Sequence, residues 1–170
     1  FVRGSAIQVV ANAAEVAGWG LDLSASARPV DALTLTATYG WNNLEFTNAT
    51  ADKAKGDPVD GAVRESWSAS VDFRPRLANE ITGIFRVDYQ HAGKAQITVR
   101  NFPSSPVIQR PGRDLVNLRL GAAFGQAEVA LFVDNLFDQN APNLIGPFGV
   151  IAEDVEQRPR VIGVNGKINF

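Results

Sequence analysis

The stretch Leu33-Thr-Leu-Thr-Ala-Thr-Tyr-Gly-Trp41 alternates with a period of two. Leu33, Leu35, Ala37, Tyr39 and Trp41 fall on one face; Thr34, Thr36 and Thr38 fall on the other. A helix needs apolar residues three and four apart, so this pattern reads as a strand with one apolar and one polar face.

Working outward, the same alternation recurs. Leu21 to Arg28 is a small-residue version of it. Trp67, Ala69, Val71 and Phe73 oppose Ser66, Ser68, Ser70 and Asp72. Ile81, Phe85, Val87 and Tyr89 oppose Thr82, Arg86, Asp88 and Gln90. Val116, Leu118, Leu120, Ala122 and Phe124 oppose Asn117, Arg119 and Gly121. Ala127, Val129, Leu131 and Val133 oppose Glu128 and Asp134, and Ile162, Val164, Ile168 and Phe170 oppose Asn165, Lys167 and Asn169. With a further strand expected at Ile7 to Val10, the chain reads as about eight antiparallel strands.

The connections alternate in length. Arg28–Ala32, Arg74–Asn79 and Gly125–Gln126 are short, and proline suits two of these turns because it fixes φ and removes a donor. Asn48–Gly61, Gly93–Gly112 and Asp138–Arg158 are long and rich in Gly, Pro, Asn, Asp and Ser. Strict short–long alternation puts every long loop at one end, as in an outer-membrane barrel. On the strands as bounded above, the apolar face carries no charge. Asp22, Arg28, Asp72, Arg86, Asp88, Arg119, Glu128, Asp134 and Lys167 all fall opposite. Trp41, Trp67, Phe73, Tyr89, Phe124, Phe137 and Phe170 sit near strand ends, where interfacial girdles place aromatics.

Composition removes several functions. The net charge of −2 gives no reason to expect nucleic-acid binding. With no Cys there is no disulfide, thiol nucleophile or Cys metal site. His91 is the single histidine and is expected at the surface. Asp57 and Asp60 in Gly56-Asp-Pro-Val-Asp-Gly61 lack the EF-hand spacing. Asp72 and Asp88 are paired carboxylates on different strands, and no nucleophile–base set accompanies them, so no enzyme and no cofactor are expected. No run of 18 apolar residues exists for a membrane helix, which leaves barrel strands open. The absence of Met leads to the expectation of a piece of a longer protein.

The end of the chain carries a more specific signal. Asn135-Leu136-Phe137-Asp138 closes a strand, a loop follows, Pro159-Arg160 and Gly163 open the last strand, and Phe170 ends it. This order resembles the C-terminal end of TonB-dependent outer-membrane receptors. Gly18-Trp-Gly-Leu-Asp22 before a small-residue strand and Pro29 is similar to an upstream hairpin of that family. The chain departs from the pattern at Gly20, where an acidic residue is commoner, and at Asn140-Ala-Pro142, where Tyr often follows. The resemblance extends over most of Asn12 to Phe170.

It implies an all-β fold: an antiparallel transmembrane β-barrel, of which residues 1–170 supply the C-terminal strands, about eight of a 22-stranded type. It implies energy-coupled uptake of a scarce ligand, a ferric siderophore among the family's cargoes, in the outer membrane of a Gram-negative bacterium. The plug and the TonB-contacting segment would precede this piece, so the TonB complex would be reached only through them. Outer-membrane lipid would be one partner, and the barrel-assembly machinery, reading the last strand and Phe170, another. Ligand contacts would come from loops and inner wall. The candidates are Arg100, Phe102 and Arg110 in one long loop, which suit an anionic planar ligand, with Arg86 and Arg119 on the polar face. The plainer roles are a solvated loop for the first three and a polar ladder for the last two. Two other architectures satisfy the alternation: a self-contained eight-stranded outer-membrane barrel, and a soluble β-sandwich or lipocalin-like binding module.

Overall fold

The computed structural model describes residues 15–50, 53–98, 107–146 and 153–168. They form strands β1 (Val16–Val30), β2 (Leu33–Phe46), β3 (Glu65–Phe73), β4 (Arg76–Ala78), β5 (Ile81–Ala92) and β6 (Ala95–Thr98). Then come β7 (Val107–Arg110), β8 (Arg113–Phe124), β9 (Ala127–Asp134), β10 (Pro142–Gly146), β11 (Glu153–Glu156) and β12 (Val161–Ile168). No helix occurs among the described residues.

The main sheet runs β1-β2-β3-β5-β8-β9-β12, with β4 pairing onto β5. Every pair is antiparallel, and each path strand sits beside its neighbour in sequence once the loop hairpins are set aside. The register aligns the apolar positions in rows. Leu35 pairs with Val71, Val71 with Val87, Val87 with Leu118, Leu118 with Val133 and Val133 with Ile162. One row over, Leu33, Phe73, Phe85, Leu120, Leu131 and Val164 align in the same way. A one-residue slip would exchange the faces, so this alternation is what fixes the register.

The apolar face is bare. Leu131 is 55% exposed, Val164 68% and Trp19 83%. Among the described residues only Phe46, Ile84, Ala95, Ile97 and Ala130 form a buried apolar set. A sandwich or a lipocalin covers this face with a second layer or turns it inward, and no such cover is present among the described residues. The self-contained eight-stranded barrel fares no better. β1 pairs only with β2, β12 pairs only with β9, and the two edges are not joined among the described residues. The strand expected at Ile7 to Val10 lies outside the described residues.

All short connections lie at one end of the sheet. Arg28 clasps the first turn through two bonds to the Asp31 carbonyl, of 2.6 and 3.1 Å. The Arg74–Asn79 connection is not a bare turn, since β4 inside it pairs Arg76 with Thr82. Gly125, with φ of 55°, takes the left-handed position that the two-residue β8–β9 turn demands. The long connections gather at the other end, and two of them are themselves structured. β6 pairs with β7, and β10 with β11. Polar, Pro- and Gly-rich composition hid these short hairpins from the sequence pattern.

One expectation needs correction. The apolar face is free of charge only on the strand bounds read from sequence. β2, β3 and β8 run further toward the loop end. By register Glu45, Glu65 and Asp114 share the face of Trp41, Trp67 and Val116. The face is apolar over most of its height and becomes polar at one rim.

Candidate functional site

Three polar centres stand on this sheet. The first is the end of β9. Asn135 is 4% exposed and has φ of 52°, a left-handed conformation that Asn tolerates better than most residues. Its amide nitrogen donates to the carbonyls of Gln139 and Arg158, both at 2.9 Å. Its side-chain oxygen accepts from the Gln139 backbone N–H at 2.9 Å, and its own N–H donates to Asn117 Oδ1. Asp138, with φ of 53°, accepts the Arg160 N–H at 2.8 Å. Leu136 N–H donates to the Val116 carbonyl, and the Arg160 guanidinium reaches the Leu136 carbonyl. The Asn-Leu-Phe-Asp step is thus a clasp that closes the long loop at its base. Phe137 takes no part in the bonding and is 72% exposed. Pro159 supplies no donor at the loop's return, and Gly163 lies under the Phe132 ring, where a Cβ would come within 2.6 Å of the ring edge. Phe170 lies outside the described residues.

The second centre is the polar face at mid-height. Arg86 makes a two-pronged contact with Asp88, both bonds 2.8 Å, and approaches Asp72 at 3.6 Å. Arg74 holds Asp72 from the other side at 2.9 Å. Arg86 and Arg119 are direct cross-strand partners. They line one cavity of about 440 Å³ together with Asn117, Phe132, Asp134 and Asn165. The structure therefore brings Arg86 and Arg119 together.

The third centre lies at the loop end, where β6 and β7 fold against the first long loop. Gln96 pairs with Gln109 and Ala95 with Arg110. Burial and the neighbouring Arg113 charge push the Arg110 guanidinium below its ordinary pKa. Arg100 and Phe102 lie outside the described residues. A cavity of about 310 Å³ opens beside this hairpin, lined by Asn42, Asn43, Arg64, Lys94, Gln96 and Gln109 among others. Side-chain amides, two cations and the Glu45 carboxylate make it a polar cleft, in which the Asn42 amide donates to the Val63 carbonyl and the Asn43 amide to Glu45. Sequence reading missed Asn42, Asn43, Arg64 and Lys94; the doubled Asn directly after Trp41 was the available signal.

The acidic residues of the first loop are committed elsewhere. The Lys53 ammonium, almost fully buried, meets Asp60 at 2.7 Å and lies 5.7 Å from the centre of the Phe46 ring. Asp57 accepts the Ala54 N–H at 2.8 Å. No group of three metal-ligating side chains occurs among the described residues. His91 is half-buried: its Nδ1 lies 2.7 Å from Asp114 Oδ1, and its ring stacks on Trp67.

Neither a family model nor a curated protein matches the sequence. Solved structures do match in fold, and two of them are these. One is the ferric yersiniabactin uptake receptor FyuA from Yersinia pestis, with a TM-score of 0.80 and 21% identity, covering 94% of this chain. The other is FpvA from P. aeruginosa, solved with bound pyoverdines and iron, with a TM-score of 0.65 and 18% identity over 91% of this chain. The chain spans 24% of the first and 19% of the second. Its open antiparallel sheet has the fold of part of each of these two structures.

Proposed function

We propose that this chain is the C-terminal part of the barrel wall of a TonB-dependent outer-membrane receptor, and that the whole protein takes up a ferric siderophore. The observation that carries the reading is the pair of faces: bare apolar rows on one side, an ion-paired ladder on the other, in the fold of two siderophore receptors. In a barrel wall the apolar face meets lipid and the ladder faces the lumen. The strand lengths fit. Strands of 12 residues, such as β5 and β8, tilted by about 45°, rise about 28 Å, close to the thickness of a bilayer's apolar core. In lipid each backbone group must be paired within the wall, so β1 and β12 require partner strands from the rest of the protein. Until it closes, β12 offers a free edge to the assembly machinery.

Cargo would meet the wall at two places: the Arg86–Arg119 cavity on the lumen side and the amide-lined cleft at the loop end. Both offer donors suited to the carboxylates and hydroxamate-like oxygens of an iron chelate. The deciding experiment is uptake of radiolabelled iron, supplied as a panel of ferric siderophores, by cells expressing the full-length gene with and without a working energy-coupling complex. Energy-dependent accumulation from one siderophore supports the reading. No accumulation from any, with the protein in the aqueous fraction, overturns it.

A further inference from the structure

The polar rim of the apolar face is built as a site. Trp41 pairs with Glu65 at the top of the sheet, Trp67 pairs with His91 in the next row, and His91 pairs with Asp114. The Asp114 carboxylate takes both His91 Nδ1, at 2.7 Å, and the Tyr89 hydroxyl. The Trp67 ring lies 5.4 Å from the imidazole at an interplanar angle of 26°. The ring is thereby fixed, and Nε2 is left as its remaining hydrogen-bonding atom. Beside it opens a cavity of about 460 Å³ whose lining includes Trp41, Arg64, Glu65, His91 and Lys94.

This arrangement is costly for a surface that faces only hydrocarbon, and the rows below it are entirely apolar. Arg64, Lys94 and His91 line this one cavity where those rows end, with the Trp41 indole beside them; Arg64 and Lys94 also border the loop-end cleft, and the Arg64 guanidinium donates to Asn43 Oδ1. An indole suits the boundary between chains and headgroups. Guanidinium and ammonium groups suit a phosphate, the first as a fork and the second as a point charge. Glu65 is the one carboxylate in the lining and opposes an anion, so retention of a phosphate depends on Arg64 and Lys94 acting together.

We propose that this rim binds a membrane lipid with a phosphate-monoester headgroup, held by Arg64, Lys94 and His91, with its acyl chains running down the apolar rows. The inference rests on the barrel-wall reading above. Native mass spectrometry of the full-length protein in a non-ionic detergent tests it, with phosphatidic acid, diacylglycerol and inorganic phosphate as probes. Phosphatidic acid should bind at least about tenfold more tightly than diacylglycerol. The double variant Arg64→Ala/Lys94→Ala should lose that preference, and His91→Phe, which keeps the stack on Trp67, should weaken it. Heat-modifiable gel mobility checks that each variant is folded.

Equal binding of phosphatidic acid by the double variant and the wild type overturns the proposal. So does full competition by millimolar inorganic phosphate, which would make this a free-anion site. A protein that inserts in membranes and binds both lipids equally refutes the lipid site alone. A protein that is soluble without detergent and binds neither lipid refutes the barrel-wall reading as well.

Discussion

The Asn135 side-chain amide donates to the carbonyl of Arg158, 23 residues further along the chain, at 2.9 Å. This bond ties the first residue after β9 to the segment that leads into β12. It makes the register of β12 on β9 independent of what the loop between them does. Asn135→Ala removes two donations and one acceptance from a buried position, so a loss of roughly 2–3 kcal/mol is expected. Asn135→Asp is expected to be no better, because a carboxylate would face the two carbonyl oxygens. Urea titration of the full-length protein in lipid vesicles measures both. Wild-type stability in either variant would mean that the clasp is dispensable.

Leu131 and Glu128 lie on the same strand with opposite facing. Leu131 sits in an apolar row between Leu120 and Val164. If the sheet is a barrel wall as proposed, Leu131→Arg would place a charge in lipid, at a cost of roughly 2–4 kcal/mol near mid-depth, and block insertion. Glu128 faces Lys167 across the strand pair, so Glu128→Arg sets two cations side by side. That costs less than about 1 kcal/mol on a wet face. Folding yield in vesicles compares the two variants, and equal yields would count against the assignment of faces.

Gly163 is covered by the Phe132 ring. A Cβ there would stand 2.6 Å from the ring edge. Gly163→Ala is expected to cost about 1–3 kcal/mol by forcing the ring aside. Phe132→Leu in the same chain should recover part of that loss, so the double variant should be more stable than the sum of the single effects predicts. Strict additivity in denaturant titrations would show that the ring is free to move.

How far the sequence could be read depended on the length of each pattern. The rows from Leu33 to Phe73 and from Val116 to Val133 are long alternations on a half-covered surface, and such alternation specifies both strand and face. The β6–β7 and β10–β11 hairpins are four or five residues each, too short for a period to emerge from polar loop composition. The clasp was visible as a motif, and its physical use, bonding across the loop base, needed coordinates. The rim cluster was hidden for a different reason. Asp114 and Glu65 stand just outside the alternations that begin at Val116 and Ser66, so no pattern marks their face. Arg64 and Lys94 have no signature at all, since a lone cation beside a glycine or a strand start is ordinary loop chemistry.

Arg86 is the residue whose two roles separate most cleanly by experiment. Its guanidinium joins Asp88 and Asp72, and its side chain is 43% exposed. Partial exposure lets water screen the pair, so Arg86→Ala should change stability by less than about 1 kcal/mol. Arg119, its cross-strand partner, shares the same cavity. If the wall only braces itself here, Arg86→Ala and Arg119→Ala leave the apparent affinity for ferric siderophore in the uptake assay unchanged. If cargo touches this wall, each variant raises the half-saturating concentration by about tenfold, the size expected for losing one charge-assisted contact. The second outcome with the first stability result would move both arginines from the ladder to the transport path.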